Sequence, residues 1–150
     1  MPPDGTYQPK VYRKQGGDEQ VIASGGKITQ EAGGSFVQPV ALKTLDYTVL
    51  ASESGTTFKI ATDAKVFTLP PTEAGLRYTF INSGADGAVL LAISPAAADA
   101  IHGRALTSVD DKDLLNTKVT AKEGDSVTLV GDGVDGWFIV AVEGIWAKEA

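Results

Sequence analysis

Three places in the chain hold side chains that elsewhere carry chemistry. His102 is the single histidine, set between Ile101 and Gly103-Arg104. Catalytic triads and most zinc sites need a histidine held by fixed partners. No motif surrounds this one, so it reads as a surface or turn residue. Asp110-Asp111-Lys112-Asp113 is the densest acidic run. Carboxylates at this spacing suit Ca²⁺, and equally the positive end of a helix; Leu114-Leu115 then supplies an apolar face, which favours a helix or turn. Asp132-Gly133-Val134-Asp135-Gly136 looks like a calcium loop only superficially. Val134 takes a ligand position and no Glu follows before Glu143, whereas Asp-Gly pairs are ordinary hairpin turns.

Other chemistries lack their residues. The chain has no cysteine, which removes disulfides, thiol nucleophiles and Cys-ligated zinc. The Gly-rich stretches are not followed by the Lys-Ser/Thr of a phosphate-binding loop, and Gly-x-Ser-x-Gly and His-Glu-x-x-His are absent. No pair of carboxylates stands out for glycoside hydrolysis. The expectation is a protein without catalytic residues, metal or cofactor. Of the two tryptophans, Trp137 opens a strongly apolar strand and reads as core. Trp146, in Gly144-Ile145-Trp146-Ala147-Lys148, suits a subunit or partner contact.

The elements that must hold these residues are β-rich. Seventeen glycines and seven prolines in 150 residues favour turns and strands over helices. A net charge of −6 argues against non-specific nucleic-acid binding, which needs clustered Lys and Arg. No apolar run approaches the ~20 residues of a membrane helix. Met1-Pro2-Pro3-Asp4-Gly5 lacks the basic and apolar regions of a signal peptide, so export by the general secretory route is not expected.

Three zones follow along the chain. Residues 1–16 form an extended arm, in which prolines and glycines forbid a helix while Tyr7, Val11 and Tyr12 are adhesive and Lys10, Arg13 and Lys14 are basic. Residues 17–40 form a Gly-rich segment with a period of eight. Gly17, Gly25 and Gly33 head three octads, and Gln20, Ile28 and Phe36 occupy the matching third position after each, so the register is only partly kept. A period this short suits a thin stack of strands turning at glycines, as in a β-solenoid or β-prism. Val21, Ile22, Ile28, Phe36 and Val37 are too few apolar side chains to hold that segment alone, so it either orders on a partner surface, the favoured reading, or is a flexible Gly-rich linker with a chance repeat.

Residues 41–150 read as a β-sandwich or barrel-like domain. Strand-like runs recur at Tyr47–Leu50, Thr57–Ala61, Val66–Leu69, Arg77–Asn82, Val89–Ser94, Lys118–Thr120, Ser126–Gly131 and Trp137–Glu143, separated by Gly, Pro and Asp turns. The run from Trp137 is almost continuously apolar, which predicts a central strand covered on both faces. Short helical turns are expected at Pro95–Asp99 and Asp110–Leu115.

Leu69-Pro70 with Ala74-Gly75-Leu76-Arg77-Tyr78-Thr79-Phe80-Ile81-Asn82 resembles a stretch recurrent in small structural proteins of tailed bacteriophages. Gly131-Asp132-Gly133-Val134-Asp135-Gly136-Trp137 with Gly144-Ile145-Trp146 adds to it. Tyr12-Arg13-Lys14-Gln15-Gly16-Gly17 through Ala23-Ser24-Gly25-Gly26 resembles the N-termini of phage head decoration (cementing) proteins. The resemblance implies a non-enzymatic homotrimer on the outer surface of the head, partnered by the major capsid protein and made in the host cytoplasm, with no nucleic-acid or membrane partner. On that basis Tyr7, Val11, Tyr12 and Arg13 are expected to contact the capsid, and Ile22, Ile28, Phe36 and Trp146 to lie between subunits. A tail-fibre or spike module recognising host glycans is the alternative, and an enzyme such as a depolymerase fragment the weaker one.

Overall fold

A computed structural model describes residues 10–17, 20–103 and 108–150. The chain divides into two compact units, Met1–Val37 and Gln38–Ala150.

In the first unit, strand β1 (Val11–Arg13) pairs antiparallel with β2 (Gln20–Ile22), placing Tyr12 opposite Val21. The described part of the arm is therefore one half of a hairpin whose other half lies in the first octad. The glycine period is a period of turns. Gly17 N donates to Lys14 O, Gly26 N to Ala23 O and Gly34 N to Glu31 O, at 3.0, 2.7 and 2.9 Å. The third residue of each turn is Gly16, Gly25 or Gly33, with φ of +107°, +74° and +87°. A turn with positive φ only at its third position requires glycine there. The equivalent glycine of the first repeat is thus Gly16 rather than Gly17, so the turn glycines are spaced nine and then eight residues apart. Residues 23–37 contain turns and no strand, so a stack of strands through the octads is not what the single chain forms.

The second unit is a sandwich of two mixed sheets. Its strands are β3 (Val40–Lys43), β4 (Tyr47–Thr48), β5 (Thr57–Ile60), β6 (Lys65–Thr68), β7 (Arg77–Asn82), β8 (Leu91–Ser94), β9 (Ala100–His102), β10 (Leu114–Asn116), β11 (Ser126–Gly131), β12 (Gly136–Glu143) and β13 (Ala147–Lys148). One sheet has the order β3-β5-β7-β11-β12-β9 and the other β13-β10-β8-β6-β4. From β3 to β8 successive strands alternate between the sheets and pair in parallel with the strand two before. The chain therefore winds between two faces in coils. The antiparallel strands β10 to β13 complete the sandwich.

Period-2 patterning turns alternate residues of each strand into the space between the sheets. Ala41, Phe58, Phe80, Val127 and Val142 lie in one register row across the six-stranded sheet. The Phe58 and Phe80 rings stack at 5.6 Å, and Phe67 from the opposite sheet meets them at 5.5 and 5.0 Å. Trp137 is fully buried beside Tyr78, as expected of a core residue.

A buried polar bridge joins the two sheets. Asn82 Nδ2, on β7, donates to Asn116 Oδ1 of β10 at 2.7 Å. Asn116 Nδ2 donates to Asp125 Oδ2 at 2.8 Å and to Ile145 O at 3.0 Å. All three side chains are almost fully buried, where polar groups need partners.

Four details differ from the sequence expectation. Lys118–Thr120 is a turn. Pro95–Asp99 closes a single turn through Asp99 N to Ala96 O and forms no helix. Asp110-Asp111 is a turn, and Leu114-Leu115 begin strand β10 instead of lining a helix. The strand from Trp137 is covered on one face only, because Phe138 and Val140 are about half exposed. A bulge there leaves Val140 without a register partner between Ile139 and Ala141, and β9 pairs only with the first three residues of β12.

Phe58→Ala should cost about 3–5 kcal/mol, the usual penalty for emptying a buried aromatic site. Urea unfolding measures it, and a loss below about 1 kcal/mol would contradict a core centred on this row. Asn116→Ala should cost about 1–3 kcal/mol by the same measurement, since it removes one partner each from the buried Asn82 amide nitrogen and Asp125 carboxylate, which keep only Val89 O and Lys122 N. A loss within about 0.5 kcal/mol would deny the bridge any structural part.

Candidate interaction surface

The residues weighed for chemistry make local structural contacts. His102 lies at the end of β9, its Nδ1 2.7 Å from Ser108 Oγ and its ring stacked on Phe138 at 4.7 Å. In the Asp132–Gly136 loop, Asp132 Oδ1 accepts from the backbone N–H of Val134, Asp135 and Gly136 at 2.8, 3.0 and 3.0 Å. Those donors, with a smaller attraction from His102, hold the Asp132 carboxyl down to about 2 from the ordinary 3.8. Three N–H groups on one oxygen lock the turn. Among the described residues no group of three His, Asp or Glu is placed to hold a metal. No described helix is long and apolar enough to cross a membrane.

Asp63 and Asp86 do similar work. Each sits below its usual range because a backbone N–H, of Leu90 and Glu123 respectively, is aimed at it, helped by Lys118 and Lys122. Tyr78 is pushed up to about 12, first by burial and then by Glu53 and Glu73; its hydroxyl donates to Leu50 O.

The segment from Leu69 to Asn82 and the loop from Gly131 to Trp137 are neighbours in space. Gly75 N donates to Gly131 O and Gly131 N to Leu76 O, at 3.0 and 2.9 Å. Thr72 Oγ1 donates to Gly136 O at 2.6 Å and accepts from Gly133 N at 3.2 Å. Gly136 abuts the Ala100 backbone and has no room for a side chain. These motifs therefore describe how one end of the sandwich is tied together.

What remains unaccounted for is apolar surface. Tyr12, Ile22, Ile28 and Phe36 are exposed in the N-terminal unit, Phe36 at 71%. Arg13 is exposed beside Tyr12, and Val11 is half-buried; Tyr7 lies outside the described residues. Trp146 is different. It packs against the core of its own domain and its Nε1 donates to Glu143 O at 3.0 Å, so its place in the structure needs no second subunit.

Sequence reasoning missed a further patch. β3 is an edge strand whose Val40 and Leu42 are 64% and 63% exposed. Register pairing puts Val40 beside Thr57 and Leu42 beside Lys59, then Thr57 beside Thr79 and Lys59 beside Ile81. Arg77 shares that outer face. Neither Lys59 nor Arg77 meets a carboxylate among the described residues. The alternation in Val40-Ala41-Leu42-Lys43, directly after Pro39, was the available signal. No protein-family model matches the chain, and no curated protein matches it either.

Lowering the pH should test the Asp132 lock. A depressed folded value means that its contribution is complete above the ordinary carboxylate range and is lost as pH falls through about 2. Carbon-detected NMR titration should give a midpoint near 2 for Asp132, and Asp132→Asn should melt at lower temperature at pH 7 by a margin that narrows towards pH 2. A midpoint at 3.8 would contradict the lock.

Proposed function

We propose that this chain is a head decoration protein of a tailed bacteriophage, which binds the outer capsid surface as a homotrimer and stabilises the shell. Its partner is the major capsid protein, and its work is mechanical. Many copies each bridge capsomer boundaries, so modest contact energies multiply over the shell. No catalytic residue, metal or cofactor takes part.

The observation that carries this proposal is the contrast between the two units. Gln38–Ala150 closes a core of its own, built on Phe58, Phe67, Phe80 and Trp137. The N-terminal unit instead displays Tyr12 and Arg13 on a two-stranded hairpin, and Ile22, Ile28 and Phe36 to solvent. Side chains of this kind at fixed places on a turn-rich segment suit contacts with other chains. In the proposed division of labour, Tyr7, Val11, Tyr12 and Arg13 meet the shell, and Ile22, Ile28 and Phe36 pack between copies.

Removal of residues 1–16 should abolish co-sedimentation with expanded heads of the cognate phage while the domain keeps its melting transition. Tyr12→Ala combined with Arg13→Ala should weaken binding at least tenfold, about 1.4 kcal/mol. Unchanged head binding by the truncated protein would overturn the assignment of the arm.

A further inference from the structure

The first coil of the domain is open at its outer end. β3 borders the six-stranded sheet and β4 borders the five-stranded sheet, and both belong to the first winding. An unpaired edge invites another strand unless charge, proline or a bulge blunts it. β3 has none of these on its outward face, where Val40 and Leu42 stand exposed. Only Lys43 carries charge on that strand, and its ammonium turns inward over the Tyr47 ring at 3.2 Å.

The octad segment has matching properties. Residues 27–40 are all exposed, and no strand interrupts residues 23–39. Ile28 and Phe36 recur eight residues apart. By sequence, residues 17–38 hold Asp18, Glu19 and Glu31 against Lys27, three acids to one base, or a net −2. The outer face of β3, β5 and β7 offers Lys59 and Arg77 and no acid. Apolar therefore meets apolar, and negative meets positive.

Pro39 decides which copy supplies the segment. Thr57 N donates to Pro39 O at 2.9 Å, so the backbone is already extended alongside β5 before β3 begins. A tight reversal here would put Pro39 at the third position of a turn, where proline is disfavoured, and the residue before a proline is itself held extended. A short hairpin between a chain's octads and its own β3 is thus opposed, whereas the β3 of another molecule meets no such restriction.

We propose that β3 is the acceptor edge for a second copy of this chain, whose octad segment lies along it with Ile28 and Phe36 on Val40 and Leu42 and Glu31 towards Lys59 and Arg77. Each copy gives one segment and receives one, a head-to-tail contact that closes into a ring. It deepens, and rests on, the homotrimer proposed above.

The absence of native cysteine makes the test clean. Phe36→Cys and Leu42→Cys are made as separate variants and mixed under mild oxidation at concentrations where the full-length protein associates. The mixed disulfide, identified by mass, should form at least tenfold faster than in a control mixture of Phe36→Cys with Val119→Cys, a site 95% exposed on a turn. No excess over that control would overturn the proposal. Leu42→Lys should leave the melting transition in place and weaken self-association at least tenfold in sedimentation; unchanged association would also overturn it. Co-sedimentation of the same variants with heads separates the two claims. Cross-linking without head binding would leave the acceptor edge standing and reject the decoration role, and head binding without cross-linking would do the reverse.

Discussion

Parallel pairing between strands that alternate from sheet to sheet is the constraint on which this structure depends. Parallel neighbours cannot be joined by a tight hairpin, so the chain must leave each sheet, cross to the other and return. The space enclosed by this winding has to be filled along its length. Phe58, Phe80 and Phe67 fill it from both faces, which ties the coils to one another through side chains as well as backbone. The later antiparallel strands extend the same rows, as Val127 beside Phe80 and Val142 beside Val127 make plain.

A winding fold also makes its ends a distinct problem. Polar groups hold the loops at both ends of the β7–β11 ladder. Asp132 gathers three N–H groups of its own loop, Thr72 joins that loop to the Pro70–Gly75 segment, and Asn116 ties both sheets to Asp125. At the border of the six-stranded sheet, β3 is left open with apolar side chains outward. Several ionisable and amide groups of the chain thus hold loop geometry, while apolar side chains on β3 stay uncovered.

Much of the fold was legible in the sequence wherever period-2 patterning was long. Arg77–Asn82 and Ser126–Gly131 are strands over the spans their alternation implies, and the hairpin into Trp137 is antiparallel as its Gly/Asp loop requires. Short strands escaped notice. Leu114–Asn116 is only three residues long, and its leading acids resembled a helix start. The glycine repeat was visible, but its meaning was not. A β-turn and a strand corner demand the same glycine, and only the hydrogen bonds that close at Gly17, Gly26 and Gly34 separate them. For the candidate surface, Ile22, Ile28 and Phe36 were picked out because they had too little company in sequence and Tyr12 as an adhesive side chain of the arm, and all four are exposed. Trp146 was picked out for its size, and it packs on its own core.

The central claim is that the octads of a lone chain leave their apolar residues uncovered and gain cover through association. Hydrogen exchange of the full-length protein at two dilutions, one monomeric and one associated, tests it most directly. Amides of residues 20–38 should exchange freely in the monomer and become protected on association, while those of β5, β7 and β11 stay protected at both. Full protection of residues 20–38 at the dilution where only single chains remain would contradict it.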